Sequence, residues 1–402
     1  MKYFPHRVRA LEQLLKDYRP PQPFNVHLKS FFKLNRQYGS RDRRELKQLA
    51  FTYWRMGSLI KLNDLAEKMA VSIFLLEPIG DWALEYISDS IQKELTPLKK
   101  SSNELDLEKL IEMKWFDKNQ FSKFESILSS EIDSLEYRKS MFLASNLWIR
   151  ILNNEKQIQD TVENHESYKR KLGKSLEFTN GSDLEGLLKR YRRDYTVQDI
   201  SSQKVVERIA TAPDMSIFDC CAGSGGKTLS IWNLEPRVKL FVSDVREAII
   251  RNLNQRFQKH RLRDFNWSVQ NIVKGQALGK FKNSLTKSEI SESEFDLVLC
   301  DMPCSGSGTW SRNPEALSKF KIKDLEKYQD RQRKILQSAS SYMKNSGAIW
   351  YLTCSVFEKE NEDVVESFLS KNQEFSLVQS GYENWLNNGG DCIYFAEIRK
   401  EK

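Results

Sequence analysis

Two cysteines stand where β-strands should end. Cys304 lies in Asp301-Met302-Pro303-Cys304-Ser305-Gly306, straight after the apolar run 295–300. Cys354 lies in Thr353-Cys354-Ser355, straight after the run 347–352. In an open α/β sheet, ligands bind beyond the carboxyl ends of the strands. Neighbouring strands lie only about 5 Å apart, so both thiols can share one crevice. A thiolate is strongly nucleophilic near neutral pH, and the pair points to covalent chemistry. Upstream, Asp219-Cys220-Cys221-Ala222-Gly223-Ser224-Gly225-Gly226-Lys227 falls between a predicted strand and a predicted helix. Gly223, Gly225 and Gly226 let the backbone approach a ligand closely, and the helix start behind them offers unpaired N–H groups. Asp244 ends the next predicted strand, where a carboxylate can accept hydrogen bonds from both ribose hydroxyls. The spacing is not that of a phosphate-binding P-loop, despite Gly226-Lys227-Thr228. An adenosyl cofactor is the expectation, and a purely structural turn the alternative.

The elements that must position these residues alternate strand and helix after Val197. Strands are predicted at 216–219, 240–244, 266–270, 295–301 and 347–353, and helices at 227–233, 246–260, 323–344 and 358–371. Two last strands, near 375–378 and 392–399, have no helix between them, so an antiparallel hairpin should flank an otherwise parallel sheet. Before this, 147–152 reads as a strand and a charged helical segment should run to about Gly173. Lys189-Arg190-Tyr191-Arg192-Arg193-Asp194-Tyr195 interleaves arginines with aromatics, which suits phosphate and base contacts or a solvated turn. Residues 5–140 look entirely helical, with a first helix at 7–18, a break at Pro20, Pro21 and Pro23, and a polar linker near 99–103. A further helix starts at Ser40 as N-cap and carries Leu46, Leu49, Ala50, Tyr53 and Trp54 on one face. The expected organisation is a helical domain over 1–140, a small α/β linker subdomain over 141–200 and a larger α/β domain over 201–402.

Composition excludes several classes. With 402 residues, 40% hydrophobic and 29% charged, the chain should fold as more than one domain. A net charge of +8 favours polyanionic partners such as nucleic acid. No run approaches the ~20 apolar residues of a membrane span, and the start lacks a signal-peptide pattern, so a cytoplasmic protein is expected. Six cysteines without a C-x-x-C pair, and four scattered histidines, suggest neither a disulfide framework nor a metal site. Cys220, Cys300 and Cys392 read as small buried hydrophobes.

Taken together, the motifs resemble those of the Nop/Sun family of RNA cytosine-5 methyltransferases, to which the bacterial small-subunit rRNA methyltransferase B belongs. The resemblance rests on Cys221–Thr228, on Asp301–Gly308, on Thr353-Cys354-Ser355 with Glu360-Asn361, and on Tyr195–Gln203. It covers about 146–402. The helical part is similar to the family's NusB-like RNA-binding domain, mainly over 42–59. The resemblance implies a Rossmann-like class I methyltransferase fold with S-adenosyl-L-methionine as cofactor. The cofactor would be held by Cys221, Ala222, Gly223, Ser224, Gly225, Gly226 and Lys227, by Asp244 on the ribose, by Asn271 at the adenine and by Asp301 near the methionine end. It also implies Cys354 as nucleophile toward cytosine C6, Asp301 at N3 and Cys304 as the group that assists product release. The implied partner is RNA, ribosomal ahead of transfer RNA, with a monomeric enzyme. Ser224 replaces the proline usual in the glycine turn, Asn271 stands where an aspartate is common, and the polar stretch 274–294 is longer than the family suggests. The rival readings are a DNA cytosine-5 methyltransferase with Cys304 as nucleophile, a non-catalytic RNA-binding factor and an N-methyltransferase. The last is disfavoured because 301–304 lacks a stacking aromatic.

Overall fold

A computed structural model describes residues 3–19, 22–77, 80–98, 105–274, 281–283, 287–288 and 294–400. The expected break at Pro20 and Pro21, the polar linker near 99–103 and most of the 274–294 stretch lie outside the described residues. The chain divides into two units: Met1–Ser126 with Ser134–Leu143 and Trp310–Phe320, and Ile127–Asp133 with Ala144–Thr309 and Lys321–Lys402.

In the first unit, helices Phe4–Asp17, Phe24–Leu34 and Ser40–Arg55 turn apolar faces onto Leu65–Leu76. That last helix buries every residue from Met69 to Leu75 and forms the centre of the unit's core. Ser40 is already inside its helix. Gly39 takes the cap, and the Asp42 carboxylate accepts its N–H at 3.1 Å. Asp42 satisfies the N–H of the cap residue, one half of a capping box, and a glycine cap costs only a few tenths of a kcal/mol relative to serine. Trp310–Phe320 joins this unit from far downstream: the Trp310 and Phe320 rings lie 5.1 and 5.6 Å from that of Phe124. The Lys319 Nζ sits 3.3 Å from the centroid of the Tyr18 ring.

The second unit contains two sheets. The smaller is antiparallel, ordered β2-β3-β1-β4, from β1 (Leu147–Ile151), β2 (Tyr168–Leu172), β3 (Ser175–Phe178) and β4 (Tyr195–Val197). The helix expected to reach Gly173 stops at Val162, and Tyr168–Leu172 is an edge strand instead. Its exposed Lys169, Arg170 and Lys171 suit an unpaired sheet edge. Gly173, at φ +58°, makes the tight turn into β3.

The larger sheet comprises β5 (Ser216–Asp219), β6 (Lys239–Asp244), β7 (Asn266–Val269), β8 (Phe281–Asn283), β9 (Lys287–Ser288), β10 (Phe295–Asp301), β11 (Met343–Thr353), β12 (Phe375–Asn384) and β13 (Cys392–Lys400). Its order is β12-β13-β11-β10-β5-β6-β7-β8-β9. Strands β7, β6, β5, β10 and β11 run parallel, and β13 and β12 add antiparallel at one side, as the helix-free ending predicts. The strand order reverses between β5 and β10, which opens the crevice where such sheets bind ligands. Apolar clusters cover both faces. The helix expected over 323–344 ends at Ser340 because β11 already begins at Met343. The helix expected from Glu358 starts at Glu362, after a single 3-10 turn, Glu358–Glu360. Among the described residues no helix is long and apolar enough to cross a membrane.

The two sheets meet through helix Ile200–Glu207, whose start lies against the glycine turn: Gln198 donates to the Gly226 carbonyl at 3.3 Å. Arg150 of β1 is fully buried and donates to Glu207 Oε1 at 3.0 Å. Glu207 itself is exposed, but without it the buried Arg150 guanidinium loses its ion-pair partner. Glu207→Ala should therefore destabilise the protein by about 2–3 kcal/mol in urea unfolding. Adding Arg150→Met should recover most of that loss.

Candidate active site

Parallel pairing of β10 with β11 sets Asp301 opposite Leu352, so both strands end at one level. Cys304 and Cys354 follow these ends, and their Sγ atoms are 3.2 Å apart. The loops that carry them are laced together. Met302 N–H donates to the Leu352 carbonyl at 2.8 Å and Gly308 N–H to the Cys354 carbonyl at 2.9 Å. A Cβ on Gly308 would sit 2.2 Å from the Cys392 carbonyl oxygen, so only glycine lets the Cys304 loop lie this close.

The charged groups of the crevice meet at the same place. Lys227, in the first turn of helix Gly226–Leu234, donates from Nζ to Asp301 Oδ2 at 2.7 Å. Burial pushes the Lys227 ammonium down, but the Asp301 carboxylate and, further off, Cys354 hold it above its ordinary value. The hydrogen bond to Cys354, together with burial, pushes the Cys304 thiol well up. Two thiols at this distance titrate as a pair, because the charge of one opposes the ionisation of the other.

The glycine turn lies on the other side of Lys227. Gly225 takes φ +74°, and a Cβ there would stand 2.5 Å from the Phe257 ring. Gly223 takes φ +53° with open space where a side chain would be. Ala222 N–H donates to the Ser243 carbonyl at 2.9 Å, tying the turn to β6. The N–H of Gly223 donates to Asp244 at 3.1 Å. Burial pushes Asp244 up, yet hydrogen bonds from Arg246 and Gly223 hold it below the usual carboxylate range. Arg246 clasps the buried Asp244 carboxylate bidentately, from Nε and Nη2 each at 2.9 Å, while most of its own side chain stays exposed. Asn271 is exposed, and its Oδ1 accepts the Val273 N–H at 3.1 Å, leaving the amide NH2 to face a base. Ser224, in place of proline, receives a hydrogen bond from Arg256 at 3.2 Å. Cys221 is half-buried at the back of the turn.

Asp219, at the end of β5, is a residue that sequence reasoning left unassigned. It is buried, its Oδ1 has no hydrogen-bond partner, and Thr228 donates to its Oδ2. An orphan carboxylate oxygen beside an open glycine turn fits a cofactor carrying amino or sulfonium charge. Its position just before the turn was the available signal. Cys220, Cys300 and Cys392 are buried, in accord with their reading as core residues. In the basic segment, Lys189, Arg190, Arg192 and Arg193 are exposed while Tyr195 is buried in β4.

A parallel sheet with this switch point, a glycine turn at its first strand and an acidic residue ending its second define the fold of the class I S-adenosylmethionine-dependent methyltransferases. More narrowly, residues 207–392 match the family described as "16S rRNA methyltransferase RsmB/F", so the resemblance read from the motifs holds. The chain is 28% identical over 213 residues to ribosomal RNA small subunit methyltransferase B of Yersinia enterocolitica, a match covering 51% of this chain and 47% of that protein. The chain thus spans about half the length of the curated relatives it matches. Among solved structures, PH0851 aligns over 98% of this chain and 99% of its own, with a TM-score of 0.72 and 20% identity. NSun6 from Pyrococcus horikoshii, solved with SFG, aligns over 71% of this chain and 98% of its own, with a TM-score of 0.58 and 16% identity.

Burial pushes Asp219 up from 3.8 to about 7. Between those values the folded protein holds a proton that the unfolded chain releases, so this group's contribution falls as pH rises from about 4 to about 7. Asp219→Asn should flatten that fall when unfolding free energies are measured at about pH 4.5 and pH 7.

Proposed function

We propose that the chain is an S-adenosylmethionine-dependent RNA cytosine-C5 methyltransferase acting on ribosomal RNA, with Cys354 as nucleophile. The observation that carries this reading is the 3.2 Å approach of Cys304 and Cys354 beside the Lys227–Asp301 pair. The 16S rRNA named in the matching family's description favours ribosomal over transfer RNA. Cytosine C5 is a poor nucleophile until a second nucleophile adds at C6. Cys354, within electrostatic reach of the Lys227 ammonium, adds there as a thiolate and forms the S–C6 bond. The electron pair displaced from the C5–C6 bond runs toward N3, where the Asp301–Lys227 pair supplies a hydrogen bond or a proton. Bound S-adenosylmethionine supplies the electrophilic methyl group that the activated C5 accepts. Residues 221–227, Asp244 and Asn271 hold and orient that cofactor, and Asp301 lies at its reactive end. Release needs the C5 proton to leave as the S–C6 bond breaks and the Cys354 thiolate departs. Cys304, 3.2 Å from Cys354, is placed to take or relay that proton.

The test separates the two thiols. Cys304→Ala, incubated with cellular RNA and S-adenosylmethionine, should accumulate a denaturant-resistant protein–RNA adduct, and Cys354→Ala should give none. The reverse pattern would assign the nucleophile to Cys304, as in DNA cytosine-5 methyltransferases. No adduct in either variant and no methyl transfer by the wild type would leave a non-catalytic RNA-binding factor. For RNA contact, the exposed Lys189, Arg190, Arg192 and Arg193 are the proposed phosphate-binding segment. Replacing all four with alanine should weaken RNA binding and shallow its dependence on salt by roughly 0.7 in log–log slope for each lost single-strand contact.

A further inference from the structure

The Cys354 loop, residues 354–357, runs from the end of β11 to the turn Glu358–Glu360, and each of its first three carbonyls is held. The Cys354 carbonyl accepts from Gly308 N–H, in the Cys304 loop, at 2.9 Å. That of Ser355 accepts from Asn361 Nδ2 at 2.9 Å. That of Val356 accepts from Ser129 N–H, also at 2.9 Å. Glu360 adds a tie between the two cysteine loops, accepting from Ser305 N–H at 2.8 Å and from Ser355 Oγ at 2.6 Å. Gly308, Glu360 and Asn361 lie in the motifs around the thiols. Ser129 does not: it falls outside residues 207–392 and far from both cysteines in sequence.

Ser129 belongs to Ile127–Asp133, a stretch encoded between two parts of the helical unit but packed as part of the second unit. Leu128 pairs with Phe357 in an antiparallel bridge, which extends the main-chain grip by one residue. Ser129 is buried, and its hydroxyl accepts from Glu131 N–H at 3.3 Å and donates to Glu362 Oε1 at 2.6 Å. Tyr382 of β12 donates from its hydroxyl to the same oxygen at 3.0 Å and accepts from Asn361 Nδ2 at 2.8 Å. Asn361 thus has one amide hydrogen for Tyr382 and one for the Ser355 carbonyl, while its Oδ1 accepts from the Thr353 hydroxyl. Every proton in this chain has one acceptor, so the bond directions are fixed from Ser129 to the two residues that flank Cys354.

We infer that Ser129 is a positioning residue for the nucleophile. Its N–H fixes the loop after Cys354 directly, and its hydroxyl fixes Asn361 by way of Glu362 and Tyr382. This rests on the proposed role of Cys354 and adds that the placement of that thiol depends on chain outside the methyltransferase motifs. A reacting pair must approach to about 3–3.5 Å, and a misplacement of about 1 Å costs on the order of a hundredfold in rate. None of the bonds named here involves the glycine turn, Asp244 or the basic segment 189–193, so cofactor and RNA affinity should be spared.

Two variants of the full-length protein test this. Ser129→Ala cuts the chain at its origin and keeps the main-chain bond, and Tyr382→Phe cuts it in the middle. Each should lower the single-turnover rate of methyl transfer to an unmodified small-subunit rRNA transcript by about tenfold. Kd for the transcript and for S-adenosylmethionine should stay within about twofold of wild type. Because both variants break one chain, the double variant should lose little more than the worse single, and losses that multiply would refute the chain. Hydrogen exchange gives a readout independent of activity. The amides of 354–357 should exchange about fivefold faster in both variants, the effect of losing one ordinary hydrogen bond, while those of β5 keep the parent's rates. Transfer rates close to wild type in both variants would overturn the inference. So would weakened transcript binding at an unchanged transfer rate, which would make Ile127–Asp133 an RNA contact. Unmoved exchange at 354–357 would overturn it whether or not the wild type is active. A wild type that transfers no methyl group, with loop exchange still raised in the variants, would sink the cytosine reading alone.

Discussion

Everything in the crevice depends on the parallel pairing of β10 with β11. Because Asp301 stands opposite Leu352, two chain segments fifty residues apart leave the sheet at the same height and on the same side. Parallel strands require a long crossover, here the excursion through 310–320 and helix Leu325–Ser340. The sheet brings the cysteines to a common level, and hydrogen bonds between their loops bring them to contact. Without the pairing, the Lys227–Asp301 bridge would face one cysteine only, and Glu360 would have one loop to hold.

The crevice also divides charge by position. Lys227 rises from the first turn of the helix after the glycine turn. Glu360 lies in the turn beyond β11 and accepts hydrogen bonds from Ser305 and Ser355, the residues after the two cysteines. Between them lies a pair of thiols that can hold one negative charge more readily than two. Asp219 is a carboxyl kept out of water, pushed up by burial despite the opposing pull of the Lys227 charge.

Much of this was legible in the sequence, for identifiable reasons. Strand ends at Asp301 and Thr353 follow buried apolar runs that only a sheet centre explains, and glycines mark the turn between β5 and its helix. Glycine at 308 could be read as a turn residue, but its need became visible only when the Cys392 carbonyl was seen 2.2 Å from the position of a Cβ. The hairpin at Tyr168–Leu172 was misread because a lysine- and arginine-rich run suits an exposed helix and a sheet edge equally well. Gly39, not Ser40, is the cap, with its own N–H held by the Asp42 carboxylate three residues on. Glu360 was visible as part of a motif, but its work was not. It acts through two serines whose proximity arises only after β10 and β11 have paired.

The helical unit is made from three stretches of chain, and the last of them, Trp310–Phe320, is encoded beyond Cys304. A ribosome adds residues in order, so the unit at the amino end cannot be completed until residue 320 has emerged. By then Asp219, Lys227, Asp301 and Cys304 have all been synthesised, while Cys354 and Glu360 have not. Completion of the first unit during synthesis thus waits on a segment encoded within the second, and Cys354 is made only after that segment.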